Sequence, residues 1–403
     1  MPEFPIKALL LENIHPVAEE ILRAQSIDVK CLSKAGSKES LKEELKGVHV
    51  LGIRSKTQIT KEVLDLAPEL LVVGCFCIGT NQVDISAARL KGCPVFNAPY
   101  ANTRSVAELV VAEIVMLSRK VAHRSALLHQ GRWEKSASAC FEVRGKTLGI
   151  VGYGHIGSQL GILAEDLGMR VFYYDIAAKM PIGNCRPTET LEELLKLSDF
   201  VSFHVPETES TKNMISHDRL KLMKKGSYLL NASRGSVVDL EALANALKSR
   251  HLEGAAIDVF PEEPEGSVSE FKNPLQNIPN VILTPHIGGS TEEAQKNIGV
   301  EVATSLLQFV ANGSSSMAVN FPKVDLPIQS DCHRVLNVHK NVPGVLAEIT
   351  GIISEVGANI ESQYLATDPA IGYLIVDLDK AVSAEVKNRV SALPASIKTR
   401  ILF

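Results

Sequence analysis

The 403-residue sequence has no run of about 18 apolar residues, so it offers no candidate transmembrane helix. It has no excess of either charge. Lysine and arginine number 42 against 46 aspartates and glutamates, a net charge of −4. That balance argues against a chain built to bind nucleic acid or an anionic membrane, so an anionic ligand must be met by a few placed groups. The seven cysteines are odd in number and include no CxxC pair. A zinc ribbon and a disulfide framework are thereby disfavoured, and a reducing compartment is expected. Cys75 and Cys77 have no partner histidine or cysteine pair nearby, so no metal site is expected. The N-terminal MPEFPIKALL lacks a signal-peptide pattern, and a cytoplasmic location is the expectation. No short-period repeat and no low-complexity tract occur. What is present is ample apolar material, 45% hydrophobic against 22% charged residues. A prior of about 150 residues per domain suggests two or three domains.

The first hundred residues alternate strands with helices. Strands are expected over Lys7 to Glu12, Val48 to Ile53, Leu70 to Gly74 and Pro94 to Asn97, with helix-like stretches between them. That alternation predicts a parallel α/β layer. A single helical run is expected from Ser105 to His129, followed by a polar stretch, 130–138, that holds the only tryptophan, Trp133. From Lys146 a second α/β unit begins, and Glu292 to Ala311 reads as another long helix. Residues 312–329 (NGSSSMAVNFPKVDLPIQ) are rich in Gly, Ser and Pro without helical period and read as an interdomain linker. The remaining residues follow the order βαββαβ, a ferredoxin-like pattern.

Residues 148–157 read LGIVGYGHIG, in which Gly152, Gly154 and Gly157 fit G-x-G-x-x-G. A strand precedes the motif, a helix (Ile156 to Leu167) opens inside it with His155 and Ile156 expected at the cofactor, and the next strand ends in Asp175, 18 residues after Gly157. The three glycines suit, in turn, a tight turn, close backbone approach to a pyrophosphate and helix–strand packing. The helix N-terminus favours the anion. Asp175 can accept hydrogen bonds from both ribose hydroxyls and would repel a 2′-phosphate, so NAD is expected over NADP. Further polar residues stand at the ends of other strands: His204-Val205-Pro206, Ala232-Ser233-Arg234, Asp258 and His286. Ligands of open parallel sheets bind beyond the carboxyl ends of the strands, so these residues read as one site, with His204, Val205, Pro206, Ala232, Ser233 and Asp258 expected at the cofactor. Arg234 can hold a carboxylate by two parallel bonds. His286 can take a hydroxyl proton, supported by a carboxylate from DVFPEEP, where spacing alone leaves Glu262 and Glu263 open. His204 is the rival histidine and is expected to line the cofactor pocket. Arg54, Ser55 and Lys56 follow a strand of the first lobe, and the two basic residues are candidates for an anion. Arg132 and Lys135 flank Trp133 and could reach an anion across a subunit boundary.

Five motifs in order, NTRSVAEL (102–109), the fingerprint, NASRG (231–235), AAIDVFPEEP (255–264) and TPHIGGST (284–291), resemble the D-isomer-specific 2-hydroxyacid dehydrogenases. The tail resembles an ACT domain, an amino-acid-sensing module. The resemblance implies two Rossmann/flavodoxin-like parallel-sheet lobes plus a C-terminal βαββαβ ferredoxin-like ACT domain. It divides the chain into a discontinuous substrate lobe (1–101 and 289–322), a cofactor domain (102–288), a linker (323–332) and the ACT domain (333–403). It implies Arg234, Glu263 and His286 as catalytic residues, and thereby selects Glu263 over Glu262. It implies substrate contacts at Arg54, Ser55, Asn102 and Lys135. Effector contacts for L-serine fall on His339, Asn341 and Asn359, with Pro343-Gly344 opening the helix. Lys340 and Val342 depart from the effector pattern only in side chain. The implied reaction is NAD-dependent oxidation of 3-phosphoglycerate, the first step of serine synthesis, in a homo-oligomer, expected to be a tetramer. Hydroxypyruvate, glyoxylate or 2-oxoglutarate as substrate, or a nucleotide-sensing regulator on the same fold, are the alternatives.

Overall fold

Val50–Ile53 and Val72–Cys75 are buried at every position. A strand buried on both faces belongs inside a parallel sheet covered by helices. The computed structural model, which describes residues 5–264, 270–327 and 331–403, shows that arrangement. Its first sheet runs Asp28–Cys31, Lys7–Leu10, Val50–Ile53, Val72–Cys75, Val95–Phe96, all parallel. Alternate residues feed two cores. Leu9, Leu51 and Val73 pack with Leu41, Val63 and Ala88 of three short helices. Ala8, Val50 and Val72 pack with Leu22 of Pro16–Arg23 and with Ile298, Val302 and Leu306 of Glu292–Asn312. The Asp28–Cys31 strand carries no sequence signal, because it lies at the sheet edge and buries only Val29.

The chain divides into two compact units, Met1–Ala101 with Gln295–Phe403, and Asn102–Ala294. The second is built on a seven-stranded parallel sheet in the order Val281–Leu283, Leu252–Ile257, Ser227–Asn231, Phe200–Phe203, Thr147–Val151, Arg170–Tyr174, Arg186–Pro187. The strand order reverses between Thr147–Val151 and Phe200–Phe203, so the crevice at their carboxyl ends is the place for a ligand. The run expected as one helix over Ser105–His129 is two, Thr103–Arg119 and Val121–His129. Lys120 separates them in a left-handed conformation (φ 56°), its N–H bonded to the Leu117 carbonyl and its ammonium 2.7 Å from Glu253. The apolar period runs through that break, so pattern alone did not locate it.

The C-terminal module has the expected βαββαβ order, with an antiparallel sheet Ile360–Thr367, Ile371–Asp379, Cys332–Lys340, Ser396–Leu402. One face carries Val335, Leu374 and Val376 against the module's own helices. The other face carries Leu336, Val338, Tyr373 and Leu402 into the core of the first unit, beside Phe309 and Phe321. Polar ties reinforce the seam. Arg334 forms a two-point pair with Asp377 at 2.7 and 2.8 Å and donates to the Asn312 and Leu326 carbonyls. The Tyr373 hydroxyl donates to the Gly313 carbonyl at 2.7 Å.

The stretch expected to link the domains is packed as far as it is described; residues 328–330 of it lie outside the described residues. Ala318, Phe321 and Val324 are buried. Asn320 accepts from the Val95 N–H at 2.8 Å and donates to the Cys93 carbonyl at 3.1 Å. Its Gly, Ser and Asn residues satisfy backbone groups instead of building a helix, which is why no period announces the packing. Among the described residues no helix is long and apolar enough to cross a membrane.

Candidate active site

The fingerprint turn is shaped by close approach. Gly152 has φ 91°, and a Cβ there would overlap the His204 carbonyl across the strand reversal. A Cβ at Gly157 would overlap the Gly152 carbonyl, so the helix His155–Asp166 can sit on its strand only with glycine at 157. Gly154 is the N-cap of that helix, and its side supplies no capping group. The space where its Cβ would stand is open to 4 Å, which leaves room for a phosphate against the backbone. Asp175 is prepared at the next strand end. Its two oxygens accept from the Tyr153 N–H at 2.8 Å and the Ala177 N–H at 2.9 Å, which fixes the carboxylate plane. His204 bonds Ser202 Oγ through Nε2 at 2.9 Å and leaves Nδ1 buried without a partner. Burial pushes this imidazole down to about 4, so it is neutral at physiological pH. An orphaned buried nitrogen beside the fingerprint is what a cofactor polar group would satisfy. These residues fit a dinucleotide.

A second cluster lies on the neighbouring strand ends. Ser227–Asn231 runs into a turn knitted by Asn231, whose Oδ1 accepts from the Ser233 N–H and hydroxyl and whose Nδ2 donates to the Arg234 carbonyl at 3.0 Å. Gly235 then passes so close to Phe260 that any Cβ would overlap it. That contact brings the Arg234 turn against the loop carrying Glu263. Glu263 accepts from the Phe260 N–H at 3.0 Å with one oxygen and holds His286 Nδ1 at 2.7 Å with the other. Glu262 is exposed. Burial opposes ionisation of Glu263. The bonds from His286 and the Phe260 N–H, with the nearby Arg234 charge, outweigh it and hold the carboxyl below its ordinary range. The Glu263 hydrogen bond raises His286 above its ordinary value, against burial and against Arg234.

Asp258 shapes the histidine loop. Its carbonyl accepts from the His286 N–H at 2.8 Å, and its carboxylate accepts from Thr284 Oγ1, the Ile287 N–H and the Gly288 N–H at 2.6 to 2.8 Å. Asp258 is among the residues expected at the cofactor, and both its oxygens are engaged within the loop. His286 itself has φ 53°, a strained conformation that costs on the order of 1–3 kcal/mol and persists only where surroundings enforce it. With Nδ1 on Glu263, Nε2 is left as the nitrogen for a substrate proton. Arg234 thus lies within electrostatic reach of the hydrogen-bonded Glu263–His286 pair, on strand ends of the same sheet as the fingerprint.

Residues 111–288 match the family model for the D-isomer specific 2-hydroxyacid dehydrogenase, NAD binding domain. The chain is 52% identical over 402 residues to the D-3-phosphoglycerate dehydrogenase of Dictyostelium discoideum, covering 100% of this chain and 98% of that one. The chain belongs to the D-isomer specific 2-hydroxyacid dehydrogenase family. The Escherichia coli K12 D-3-phosphoglycerate dehydrogenase is 51% identical over 401 residues, covering 99% and 98%. A solved D-lactate dehydrogenase from Aquifex aeolicus, complexed with NAD and lactic acid, has a TM-score of 0.67 at 28% identity and covers 78% of this chain and 100% of that one. The tail of this family member, residues 336–398, matches the AHAS small subunit-like ACT domain. The dehydrogenase's cofactor is NAD. Asp175→Ala is expected to improve use of NADP relative to NAD by about tenfold, because it removes one like-charge repulsion and one ribose acceptor. Steady-state rates with each nucleotide check it.

The other expected residues lie apart. Asn102 is the N-cap of Thr103–Arg119, is buried, and leaves Oδ1 without a partner. Lys135 is exposed, and among the described residues no hydrogen bond or ion pair engages it. In the first unit Arg54 is half-buried and Ser55 exposed, both in the loop after Val50–Ile53. In the ACT module His339 is buried, its Nδ1 3.0 Å from Asn337 Oδ1 and its Nε2 against Gly372. Asn341 donates to the Asp368 carbonyl, whereas Asn359 donates its side-chain amide to Glu361 and its backbone N–H to the Asp379 carboxylate. His339 pairs with Gly372 and Asn359 lies beside Leu378 and Asp379, so about 20 Å of strand separates them. One copy of the module does not bring the three together.

Sequence reading missed Asn231 as the organiser of the arginine turn. Glu113 is buried on the inner face of Thr103–Arg119, and burial together with the Asp258 charge raises it to about 8, so it is largely protonated at neutral pH.

Proposed function

We propose that this dehydrogenase oxidises 3-phospho-D-glycerate to 3-phosphohydroxypyruvate with NAD, as the first committed step of serine synthesis in the cytoplasm. The observation that carries the reading is the Arg234–Glu263–His286 arrangement beside the NAD fingerprint, in a chain alike from end to end to D-3-phosphoglycerate dehydrogenases. NAD supplies the hydride acceptor when bound. Arg234 holds the substrate carboxylate with its planar fork and polarises the neighbouring C2–O bond. His286 Nε2 takes the C2 hydroxyl proton, and Glu263 stabilises the imidazolium that forms. Arg54 and Lys135 supply positive charge for the phosphate, and Asn102 and Ser55 contribute polar contacts. The working form is a homo-oligomer, a tetramer, in which two ACT modules share L-serine through His339 and Asn341 of one copy and Asn359 of the other. This pairing supplies what the separation of these residues within one module denies.

The test is NADH formation from 3-phosphoglycerate, and NADH oxidation with 3-phosphohydroxypyruvate, hydroxypyruvate, glyoxylate and 2-oxoglutarate, each with and without L-serine. A clear preference for the phosphorylated acid and a fall in rate on serine titration are expected. Equal rates across the panel would overturn the substrate, and a flat serine titration would overturn the effector.

A further inference from the structure

Glu12 is a buried carboxylate that the reaction does not explain. It follows the strand Lys7–Leu10, is 7% exposed and has φ 65°; Asn13 after it has φ 51°. Two successive non-glycine residues in the left-handed region are sterically costly and need enforcement. No lysine, arginine or histidine pairs with the Glu12 carboxylate among the described residues. Instead it is satisfied by backbone. Oε1 accepts from the Thr57 N–H at 2.8 Å and the Arg54 N–H at 3.3 Å, and Oε2 accepts from the Lys56 N–H at 3.0 Å. These three donors belong to one short loop, which bears Arg54, Ser55 and Lys56 at the carboxyl end of Val50–Ile53. The loop is tied from the other side as well. Gln82 is buried, and its Nε2 donates to the Arg54 carbonyl at 2.6 Å and to the Gly79 carbonyl at 3.3 Å. The Arg54 backbone is thus gripped at both its N–H and its C=O, while its guanidinium has no described partner.

We infer that Glu12 is a positioning residue for anion binding: it curls the Arg54–Thr57 loop so that Arg54 is presented to the anionic end of the substrate. The inference rests on the reading above that Arg54 contacts substrate. Electrostatics sharpens the case. A negative charge beneath an anion-binding loop weakens anion binding, so charge alone gives Glu12 the wrong sign for that place. Its value must lie in geometry. A carboxylate offers two acceptors to the curled N–H groups and makes charge-assisted bonds with them, whereas an amide turns a donor toward one of them.

The test uses the purified full chain and compares Glu12→Gln, Arg54→Ala, the double variant and Gln82→Met. Positioning predicts that Glu12→Gln raises KM for 3-phosphoglycerate about tenfold, the loss of one charge-assisted bond, while kcat and KM for NAD stay within about threefold. Loss of folded protein alone would lower the apparent kcat and leave KM unchanged. Removal of a repulsive charge alone would lower KM. The double variant should be no worse than Arg54→Ala, since no arginine remains to be placed. Gln82→Met should raise the same KM by releasing Arg54 from the other side, and it decides the matter if Glu12→Gln does not fold. If Arg54→Ala raises KM but Glu12→Gln and Gln82→Met do not, the positioning role of Glu12 is wrong and the Arg54 contact stands. If the Glu12 and Arg54 effects simply multiply in the double variant, positioning is likewise overturned. If Arg54→Ala leaves KM unchanged, the substrate contact itself is wrong and the inference goes with it.

Discussion

His286→Ala is expected to lower kcat by roughly 10² to 10⁴, the range a positioned general base supplies, with NAD binding retained. The pH profile gives a finer test. Hydroxyl oxidation needs a neutral imidazole, so kcat/KM should rise with pH through the His286 titration. The hydrogen bond that His286 donates to Glu263 raises that titration above the ordinary histidine value. Glu263→Gln removes the largest raising influence and leaves burial, which favours the neutral ring. The acid limb of the oxidation profile should therefore move to lower pH. In the reduction direction the protonated ring is the reactive form, and there the falling limb should move to lower pH as well. Activity also drops in this variant, because the imidazolium formed during oxidation loses its partner. An unshifted limb in both directions would show that a different group titrates. A His286→Ala enzyme with wild-type turnover would remove the acid–base assignment altogether.

Arg234 carries the second large effect. Arg234→Lys is expected to reduce kcat/KM by roughly 10² to 10³, comparable with removal of one preorganised donor at a reacting oxygen. A lysine keeps the charge but not the fork, and the turn is built for the fork. Asn231 anchors the Arg234 carbonyl, the Arg234 Nη1 donates to the Ser233 carbonyl at 2.7 Å, and Gly235 lets the next loop approach. These contacts aim a planar group. NAD affinity, read by protein fluorescence, should stay within about threefold, because the fingerprint contacts are untouched. Arg234→Lys should also move His286 titration little, since Arg234 is the smallest influence upon it and its charge is conserved.

Much of this was legible in the amino-acid order, for identifiable reasons. The fingerprint glycines sit within a few residues of one another, and each answers a local steric demand at Gly152 and Gly157. The βαββαβ order of the tail is a sequence of local periods, and the structure shows that order. Arg234 and His286 were visible because strand ends are visible. Other features were not, because they depend on what packs against a residue. Lys120 breaks a helix whose apolar period continues across it. Asp28–Cys31 becomes a strand only by pairing with Lys7–Leu10. The Gly/Ser/Pro-rich stretch before the tail looks like a tether by composition, yet Asn320 and Phe321 are buried against the first unit.

By itself the sequence determined the fold class, the NAD fingerprint and the family, because these rest on short-range periods, turns and spacings. Tertiary structure decided which carboxylates do what. Glu263 meets His286, Asp258 scaffolds the histidine loop, Glu113 is buried to the point of holding its proton, and Glu12 grips the Arg54 loop from 42 residues away. The physical reason is common to all four. A carboxylate's role is set by the donors, charges and burial around it, and those arrive from distant parts of the chain.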